Sequence, residues 1–234
     1  LRYPYRYFAP VNTGVPSGLD LDGNGTVGGN GRERGDDAWG YGLHAGQYGM
    51  LVLSRYPIDP AQVRTFQHLK WSAMPDASQP VDPRARRMFH SDAVWRALRL
   101  SSKSHWDVLV NTPLGALHFL VSHPTPPVFD GPEDRNGRRN HDEIRFWGEY
   151  VRYQGNQWIV DDLGQRGGLQ ENQRFVIAGD LNADPADGDG IPGTIVDLLE
   201  NPMVLRMAAP RSEGALEAAL ADGGANLTHQ GAHH

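Results

Sequence analysis

Cysteine is absent from this sequence of 234 residues. Its absence excludes a disulfide, a thiolate zinc site and a cysteine nucleophile, and it leaves the redox compartment undetermined. Lysine is almost absent as well, because the 22 basic residues include only Lys70 and Lys103 as lysines. The planar fork of arginine fits phosphate and carboxylate groups. Genomic base composition produces the same bias without a functional cause, and we prefer that explanation.

Long apolar stretches and an excess of positive charge are also missing. No run approaches the ~20 apolar residues of a membrane-spanning helix, and residues 1–5 lack the basic start and apolar centre of a signal peptide. The formal net charge of -6 argues against broad adhesion to nucleic acid or anionic membranes, without excluding a nucleic-acid substrate. We expect a soluble chain with no membrane or protein partner, from which a leader could have been removed.

What the sequence does contain is typical of a packed globule with many loops. Hydrophobic residues make up 39% of the chain, and 28 glycines and 17 prolines interrupt it. This length suits one core, so we predict a single domain over residues 1–234. Residues 13–46 are rich in glycine and aspartate and lack apolar periodicity, which predicts a long loop that is functional or held by something.

Apolar runs and turn signals predict strands mixed with helices. Strands are expected over residues 49–54, 93–100, 106–110 and 116–122 and from Phe175, and short helices over residues 194–200 and 213–220. Residues 112–115 carry turn chemistry, so the strands on either side of them should form a hairpin. Residues 140–154 show helical spacing of apolar side chains, with Asn140 as N-cap and Glu143 three residues later. This mixture favours an α/β sandwich.

The most informative stretch is FVIAGDLNA at residues 175–183. The apolar run predicts a buried strand, and Gly179 marks a tight exit from it. If strand geometry persists, Asp180 and Asn182 share a face, because side chains alternate with period two. A carboxylate and a carboxamide suit a metal-bound or water-bound phosphate. Taken alone, a turn in which both side chains bond their own backbone is the better interpretation.

Two further segments reverse that preference. Residues 47–58 read QYGMLVLSRYPI, and residues 119–124 read FLVSHP. With Gly179-Asp180-Leu181-Asn182-Ala183 following in the same order and spacing, the chain resembles the endonuclease/exonuclease/phosphatase superfamily. This deoxyribonuclease-I-like group includes pancreatic deoxyribonuclease, abasic-site endonucleases, sphingomyelinases and inositol polyphosphate phosphatases.

The resemblance implies a fold and a chemistry. The implied fold is an α/β four-layer sandwich, in which two stacked mixed β-sheets are flanked by helices and the site lies at the sheet edges. The implied chemistry is phosphate-ester hydrolysis with one or two divalent cations, Mg²⁺ or Mn²⁺ at the active site. Such hard cations prefer oxygen ligands and polarise the phosphoryl oxygen. The expected partner is a phosphate-ester substrate, with nucleic acid among the candidates.

The resemblance also implies residue roles. Asp180 would orient or deprotonate the attacking water, and Asn182 would bind the phosphate or support the metal. His123 would contact the scissile phosphate or assist the leaving group. Arg139 or Asn140 would face the substrate. In the competing interpretation, Asp142 and Glu143 complement the helix dipole while the arginines are solvated, and we prefer this view for His141 and Glu143.

The chain departs from the family pattern at both ends. The family carries an Asn on its first strand and a metal-binding Glu at the end of a later one, whereas Glu33 lies in the predicted loop. The family closes with Ser-Asp-His, whereas His229 lies in Thr-His-Gln and is not given the catalytic role. We therefore expect an incomplete fold truncated at both ends, which is either an excerpt of a longer enzyme or a fragment with little activity.

A second constellation is DLDGNGT at residues 20–26, which matches the opening of a calcium loop with Asp20, Asp22 and Asn24 as candidate ligands. Gly31 stands where an EF-hand has a bidentate Glu, so a complete EF-hand is absent. A looser Ca²⁺ site, completed by Asp36, Asp37 or backbone carbonyls, competes with a loop of Asx turns, which we prefer.

A second acidic stretch follows at residues 184–190. Both stretches resemble those of exported bacterial members, which implies an extracellular or periplasmic location.

Two classes of function follow. The first is a divalent-metal-dependent phosphoesterase that hydrolyses phosphodiester bonds, either nuclease-like or acting on a small phosphodiester. Phosphomonoesterase and phospholipid phosphodiesterase are its enzymatic alternatives, and the acidic net charge weakens the nuclease assignment. The second class is a non-catalytic or crippled, calcium-stabilised binding domain. The approach of another carboxylate to Asp180 would separate the two.

Overall fold

The computed structural model describes residues 2–208, 212–228 and 230. Its strands are β1 (Tyr5–Tyr7), β2 (Val52–Ser54), β3 (Arg64–Thr65), β4 (Val81–Asp82), β5 (Arg87–Met88), β6 (His105–Thr112), β7 (Gly115–Ser122) and β8 (Phe175–Ala178). Its α-helices are α1 (Arg32–Asp36), α2 (Asp92–Ala97), α3 (Arg135–Tyr150), α4 (Thr194–Leu199) and α5 (Glu213–Asp222). Short 3-10 turns lie at Pro60–Gln62, Trp71–Ala73 and Gly224–Thr228.

The central sheet has the strand order β3-β6-β7-β8. The predicted hairpin is confirmed as β6 and β7, which pair antiparallel from His105 and Ser122 to Thr112 and Gly115. Strand β8 runs parallel to β7, with Phe119 opposite Val176 and Val121 opposite Ala178. Because parallel strands end at the same edge of a sheet, the residues that follow β7 and β8 meet there.

The central sheet is covered on both faces. On one face, Ile144, Phe146, Trp147 and Tyr150 of α3 pack into the main core, as the helical spacing predicts. On the other face, the two-stranded sheet of β1 and β2 packs against Trp106, Val108 and Val110 of β6. Tyr7 and Trp106 meet edge to face with ring centroids 5.3 Å apart. The layers are therefore helix, mixed sheet and antiparallel sheet, an α/β arrangement that is consistent with a deoxyribonuclease-I-like fold.

The fourth layer of the expected sandwich stays a prediction. The outer face of the β1–β2 sheet carries Leu53, which is exposed. In the part of the chain that the structure describes, three layers account for the two hydrophobic clusters.

Two predictions of secondary structure were wrong. The strand expected over residues 93–100 is helix α2, because the Ser91 hydroxyl accepts a hydrogen bond from the Val94 N–H and caps a helix where β-branched and aromatic residues suggested a strand. Asn140 is not an N-cap, because α3 begins at Arg135. Apolar spacing starts only at Ile144, so the polar first turns of this helix gave no periodic signal.

The predicted loop at residues 13–46 is tied to the core at several points. Asn12, at its start, is fully buried and its amide donates to the carbonyls of Gln67 and Ser101. Isolated bridges join Thr13 to Gly40 and Pro16 to Ala38, and α1 lies between them. Among the described residues, no helix combines the length and apolar composition needed to cross a bilayer.

Candidate active site

His123 and Asp180 meet at the edge of the sheet where β7 and β8 end. The His123 Nε2 atom lies 3.7 Å from Asp180 Oδ2, with 26% and 67% of the two side chains exposed. The parallel pairing of β7 with β8 produces this proximity, since each residue comes shortly after the end of its strand. The structure thus brings together two of the three predicted catalytic side chains in a solvent-accessible place.

The backbone around Asp180 is tightly specified. Gly179 has φ +142°, and a Cβ atom there would lie 1.9 Å from the Ser122 carbonyl oxygen, so only glycine fits. The Asn182 N–H donates to Asp180 Oδ1 over 3.0 Å, which is the Asx turn weighed from the sequence. The turn and the site are therefore compatible, because Asp180 Oδ2 still faces His123.

Asn182 is held by the turn that follows β7. Its backbone is left-handed, with φ +49°, and its side-chain Nδ2 donates to the Pro124 carbonyl over 3.1 Å. The amide oxygen therefore points away from Pro124 and is available as an acceptor or as a ligand.

Lys103 belongs to this site, and the sequence analysis did not single it out. Its ammonium donates to the same Pro124 carbonyl over 3.2 Å, and only 4% of the residue is exposed. Burial lowers the pKa of Lys103 to about 8, although Glu143 acts in the opposite direction. The available signal was its rarity, because it is one of two lysines and lies just before β6.

His123 is electrostatically biased towards its neutral form. Burial lowers its pKa, and the positive charge of Lys103 lowers it further, while Asp180 and a hydrogen bond to the Tyr48 backbone raise it. A neutral imidazole beside a carboxylate can accept a proton near neutral pH.

Arg139 and Asn140 differ in what they leave for a ligand. Arg139 Nε donates to Leu100 O, and its Nη2 contacts the carbonyls of Trp39, Arg99 and Ser101. This frame fixes the guanidinium, which also lines the cavity beside His123. Asn140 is fully buried and its Nδ2 donates to the carbonyls of Thr125 and Leu181, so it holds the site loops together and does not line that cavity.

Glu143 does not sit at a solvated helix start, so the preferred dipole interpretation was wrong for this residue. It is buried within α3, where Oε1 accepts from the Ser102 N–H over 2.6 Å and Oε2 accepts from the Thr125 N–H over 2.7 Å. It thereby joins the segment that carries Lys103 to the turn that follows His123. Burial raises the pKa of Glu143, against the opposing charges of Arg139 and Lys103.

A cavity of about 470 Å³ opens beside His123 and Lys103. Its wall combines buried apolar side chains, aromatic rings and several basic groups. The lining residues include Leu21, Arg32, Ala38, Tyr41, Tyr48, Trp71, His90, Leu98, Lys103, His123, Val128, Phe129, Arg135 and Arg139. Its volume is within the roughly 300–1,000 Å³ of small-molecule pockets in proteins.

A family model decides the relationship that these motifs suggest. The model for the endonuclease/exonuclease/phosphatase family matches residues 3–231, which is nearly the whole chain. The chain belongs to this family. Family membership implies metal-dependent hydrolysis of phosphate esters or nucleic acids. No curated protein and no solved structure matches the chain significantly.

The divalent cation that this family uses has suitable donors at Asp180, although few of them. The Asp180 carboxylate is largely exposed and the Asn182 amide oxygen is turned away from its Pro124 contact. Mg²⁺ commonly binds through one or two carboxylates while keeping several waters and taking substrate phosphate oxygens. One carboxylate and one amide oxygen therefore fit such an ion, with the remaining positions left to water and substrate.

The described residues hold a richer acidic group elsewhere. Asp20, Asp22 and Asp37 bring carboxylate oxygens within 4.8 Å of one another, and this is the only group of three candidate metal-ligating side chains among the described residues. Asp20 and Asp22 were candidate calcium ligands in the sequence, and Asp37 was a candidate to complete the site. The side-chain oxygen of Asn24, the third candidate ligand, instead accepts a hydrogen bond from the Thr26 N–H over 2.7 Å. Asp180 has no such group around it in that part of the chain.

Proposed function

We propose that this chain is a divalent-metal-dependent phosphoesterase that hydrolyses phosphodiester bonds at Asp180, Asn182 and His123. The observation that carries the proposal is the pairing of His123 with Asp180 at the shared edge of β7 and β8, beside a cavity that Lys103 and Arg139 also line. The positively charged side chains of Lys103 and Arg139 can hold a phosphate anion. The adjacent carboxylate and imidazole of Asp180 and His123 can hold a water molecule beside it.

Each side chain has a role that its surroundings support. Asp180 orients or deprotonates the attacking water, because its side chain is largely exposed and Oδ2 faces His123, while Oδ1 is fixed by the Asn182 N–H. His123 exchanges a proton with the water or the leaving group. Lys103 and Arg139 attract the phosphate and offset charge that develops on its oxygens. A divalent cation, held by Asp180 and the Asn182 amide oxygen, would supply Lewis-acid polarisation of the phosphoryl oxygen.

The test is hydrolysis of bis-p-nitrophenyl phosphate by the purified chain with Mg²⁺ or Mn²⁺, compared with the same assay in chelator. Metal-dependent turnover that is lost in Asp180→Ala supports the proposal. Turnover that is unchanged in Asp180→Ala, or that persists in chelator, contradicts it. Plasmid DNA, a phosphomonoester and a choline phospholipid in the same assay separate nuclease-like activity from the two enzymatic alternatives.

A second candidate function, a calcium-stabilised binding domain without catalysis, is favoured by one observation. Among the described residues, the group of three acidic side chains that could hold a metal ion lies at Asp20, Asp22 and Asp37. If Ca²⁺ stabilises the fold while every phosphate ester is left intact, this candidate replaces the first. Bacterial origin and an extracellular or periplasmic location stay predictions from the resemblance.

A further inference from the structure

We propose that the cavity beside His123 selects small phosphate esters by binding a compact apolar or aromatic organic group, and that it excludes duplex nucleic acid. The inference rests on the proposed function, because it concerns the part of the substrate that lies next to the scissile phosphate. It assigns a pocket and a substrate class to a region that family membership leaves unspecified.

The floor of the cavity is apolar. Leu21, Trp71 and Leu98 line it, and all three are buried, with at most 6% of each residue exposed. The Trp71 ring is fixed by a hydrogen bond from its Nε1 to the buried Asp142 carboxylate over 2.6 Å. When an organic group displaces water from this rigid apolar floor, binding becomes more favourable by ~25 cal/mol for each Å² of apolar surface removed from water.

Charge is concentrated at one end of this cavity. Besides burial, the charge of Arg139 lowers the pKa of Lys103, so the two groups lie close together, and both line the wall beside His123. The Lys103 ammonium has three N–H donors, and its hydrogen bond within the described chain goes to the Pro124 carbonyl. An anionic group at this end would find donors and positive charge, so the phosphate has a defined position relative to the apolar floor.

The other two arginines of the wall are each paired with a carboxylate. Arg32 pairs with Asp36 over 3.2 Å, and Arg135 pairs with Glu133. His90 is buried, and this burial lowers its pKa to about 4, so it is uncharged at neutral pH. A surface that tracks a nucleic-acid backbone needs unpaired cations along its length. Within the described part of the chain, the rim of this cavity therefore lacks the electrostatic pattern of a duplex-binding groove, in agreement with the net charge of -6.

Size leads to the same substrate class. A volume of about 470 Å³ accommodates one small organic group and its phosphate, whereas a duplex is too wide to enter. Phe129 on the rim is 72% exposed, and Val128 beside it also lines the wall. These two residues place apolar surface at the entrance, where an incoming aryl or similarly compact group would pass.

The first experiment measures binding alone, by titration calorimetry of the intact chain with phenylphosphonate, methylphosphonate and benzyl alcohol, with and without Mg²⁺. Phenylphosphonate has both the charge and the ring, so we expect it to bind at least about tenfold more tightly than either single-feature probe. Equal affinity for phenylphosphonate and methylphosphonate would overturn the pocket assignment. This comparison uses no substitution and no turnover.

The second experiment fills the cavity. Val128→Trp should raise the KM for bis-p-nitrophenyl phosphate and weaken phenylphosphonate binding by about tenfold or more. The matched control Val176→Trp, on the exposed side of β8, should change neither. Plasmid DNA cleaved more efficiently than the small ester, and equally well by both variants, would contradict the substrate class. Phenylphosphonate binding without hydrolysis of any ester would instead leave the pocket intact and refute the proposed function.

Discussion

Lys103 and Asn182 donate to the same acceptor, the Pro124 carbonyl oxygen, over 3.2 and 3.1 Å. This shared carbonyl joins the basic end of the cavity to the loop that presents Asp180. The two donors approach from segments far apart in sequence, so the contact fixes the distance between phosphate-attracting charge and the carboxylate. The arrangement makes Lys103 the first residue to test.

Replacement of Lys103 by Met should raise the pKa of His123. The ammonium is the second largest cause that lowers this pKa, after burial, so its loss removes an unfavourable charge from the protonated imidazole. An NMR titration of the His123 ring, assigned with His123→Gln, measures the change. The same variant should lose roughly 10–100-fold in kcat/KM, as expected for one charge-assisted hydrogen bond.

Lys70→Met is the matched control for that experiment. Lys70 is the other lysine, and its ammonium also donates to a single carbonyl, that of Ala97 over 2.9 Å. We expect this variant to leave the His123 titration and the kinetics unchanged. Equal effects of the two substitutions would show that the change comes from net charge and not from the position of Lys103.

Asp180→Asn should lower kcat by at least about 100-fold while the fold is retained. The substitution removes the charge that orients water or a cation, yet the amide oxygen can still accept the Asn182 N–H and keep the turn. Hydrolysis of bis-p-nitrophenyl phosphate and the thermal unfolding midpoint are the two measurements. Asp197→Asn, an exposed aspartate of α4, controls for loss of one negative charge. A similar loss in both variants would contradict a specific role for Asp180.

Gly179→Ala should destabilise the protein and disorder the Asp180 loop. The added Cβ would lie 1.9 Å from the Ser122 carbonyl oxygen at a φ of +142°, so the backbone must move. Strain of this kind costs about 1–3 kcal/mol, and loss of β7–β8 contact adds to it, so we expect Tm to fall by roughly 4–8 °C. Gly148→Ala within α3, where the nearest atom is 3.5 Å away, should be neutral or stabilising. An unchanged Tm for Gly179→Ala would refute the steric argument.

The turn chemistry of residues 112–115 predicted the hairpin, which the structure has as β6–β7. The sheet-edge position of the site was implied only by the family resemblance, and the parallel pairing of β8 with β7 brings His123 and Asp180 together at one such edge. Local patterns also predicted the core face of α3, because the spacing of Ile144, Trp147 and Val151 repeats with the helix.

The rest depended on contacts between distant segments. From the sequence, Glu143 was interpreted as a residue that complements the helix dipole, but Ser102 and Thr125 supply its buried carboxylate with donors from outside the helix. Neither contact has a local sequence signature. Lys103 was missed for the same reason, because its position in the site arises from the turn after β7 and not from its neighbours in sequence.

Millimolar Ca²⁺ should raise the Tm of the protein through Asp20, Asp22 and Asp37. Burial raises the pKa of Asp22, and the charges of Asp37 and Asp20 raise it further, so a cation would relieve repulsion in this group. The gain follows RT ln(1 + [L]/Kd) if the ion binds only the folded state. Calorimetry with and without Ca²⁺ tests this, and Asp22→Asn should abolish the gain. No Ca²⁺-dependent shift, or an equal shift in the variant, would favour a loop stabilised by Asx turns alone.

Acid should destabilise the fold through His105, which lies between β6 and α3. Its Nε2 pairs with the Glu143 carbonyl over 2.8 Å and its Nδ1 with the Ser101 hydroxyl over 2.6 Å, so the neutral ring satisfies both contacts. Burial lowers its pKa to about 4 from an ordinary value near 6.5. Between pH 4 and pH 6.5, His105 is therefore protonated in the unfolded chain and neutral in the folded chain. The contribution of His105 to stability is therefore complete above about pH 6.5 and falls by about 1.4 kcal/mol per pH unit towards pH 4.

Urea unfolding at a series of pH values between 4 and 7.5 measures this slope, with His105→Gln as the variant that cannot titrate. The variant should be less stable at neutral pH, because a glutamine cannot fill the ring-shaped space against Phe146 and Trp147, which lie 4.5 and 5.0 Å away between centroids. Its slope between pH 6.5 and 4 should nevertheless be smaller by about one proton. The pKa of His90 is also lowered to about 4, and this residue still titrates in the variant. The slope of stability against pH should therefore decrease without disappearing. An unaltered slope would mean that His105 is not the group whose protonation opposes folding.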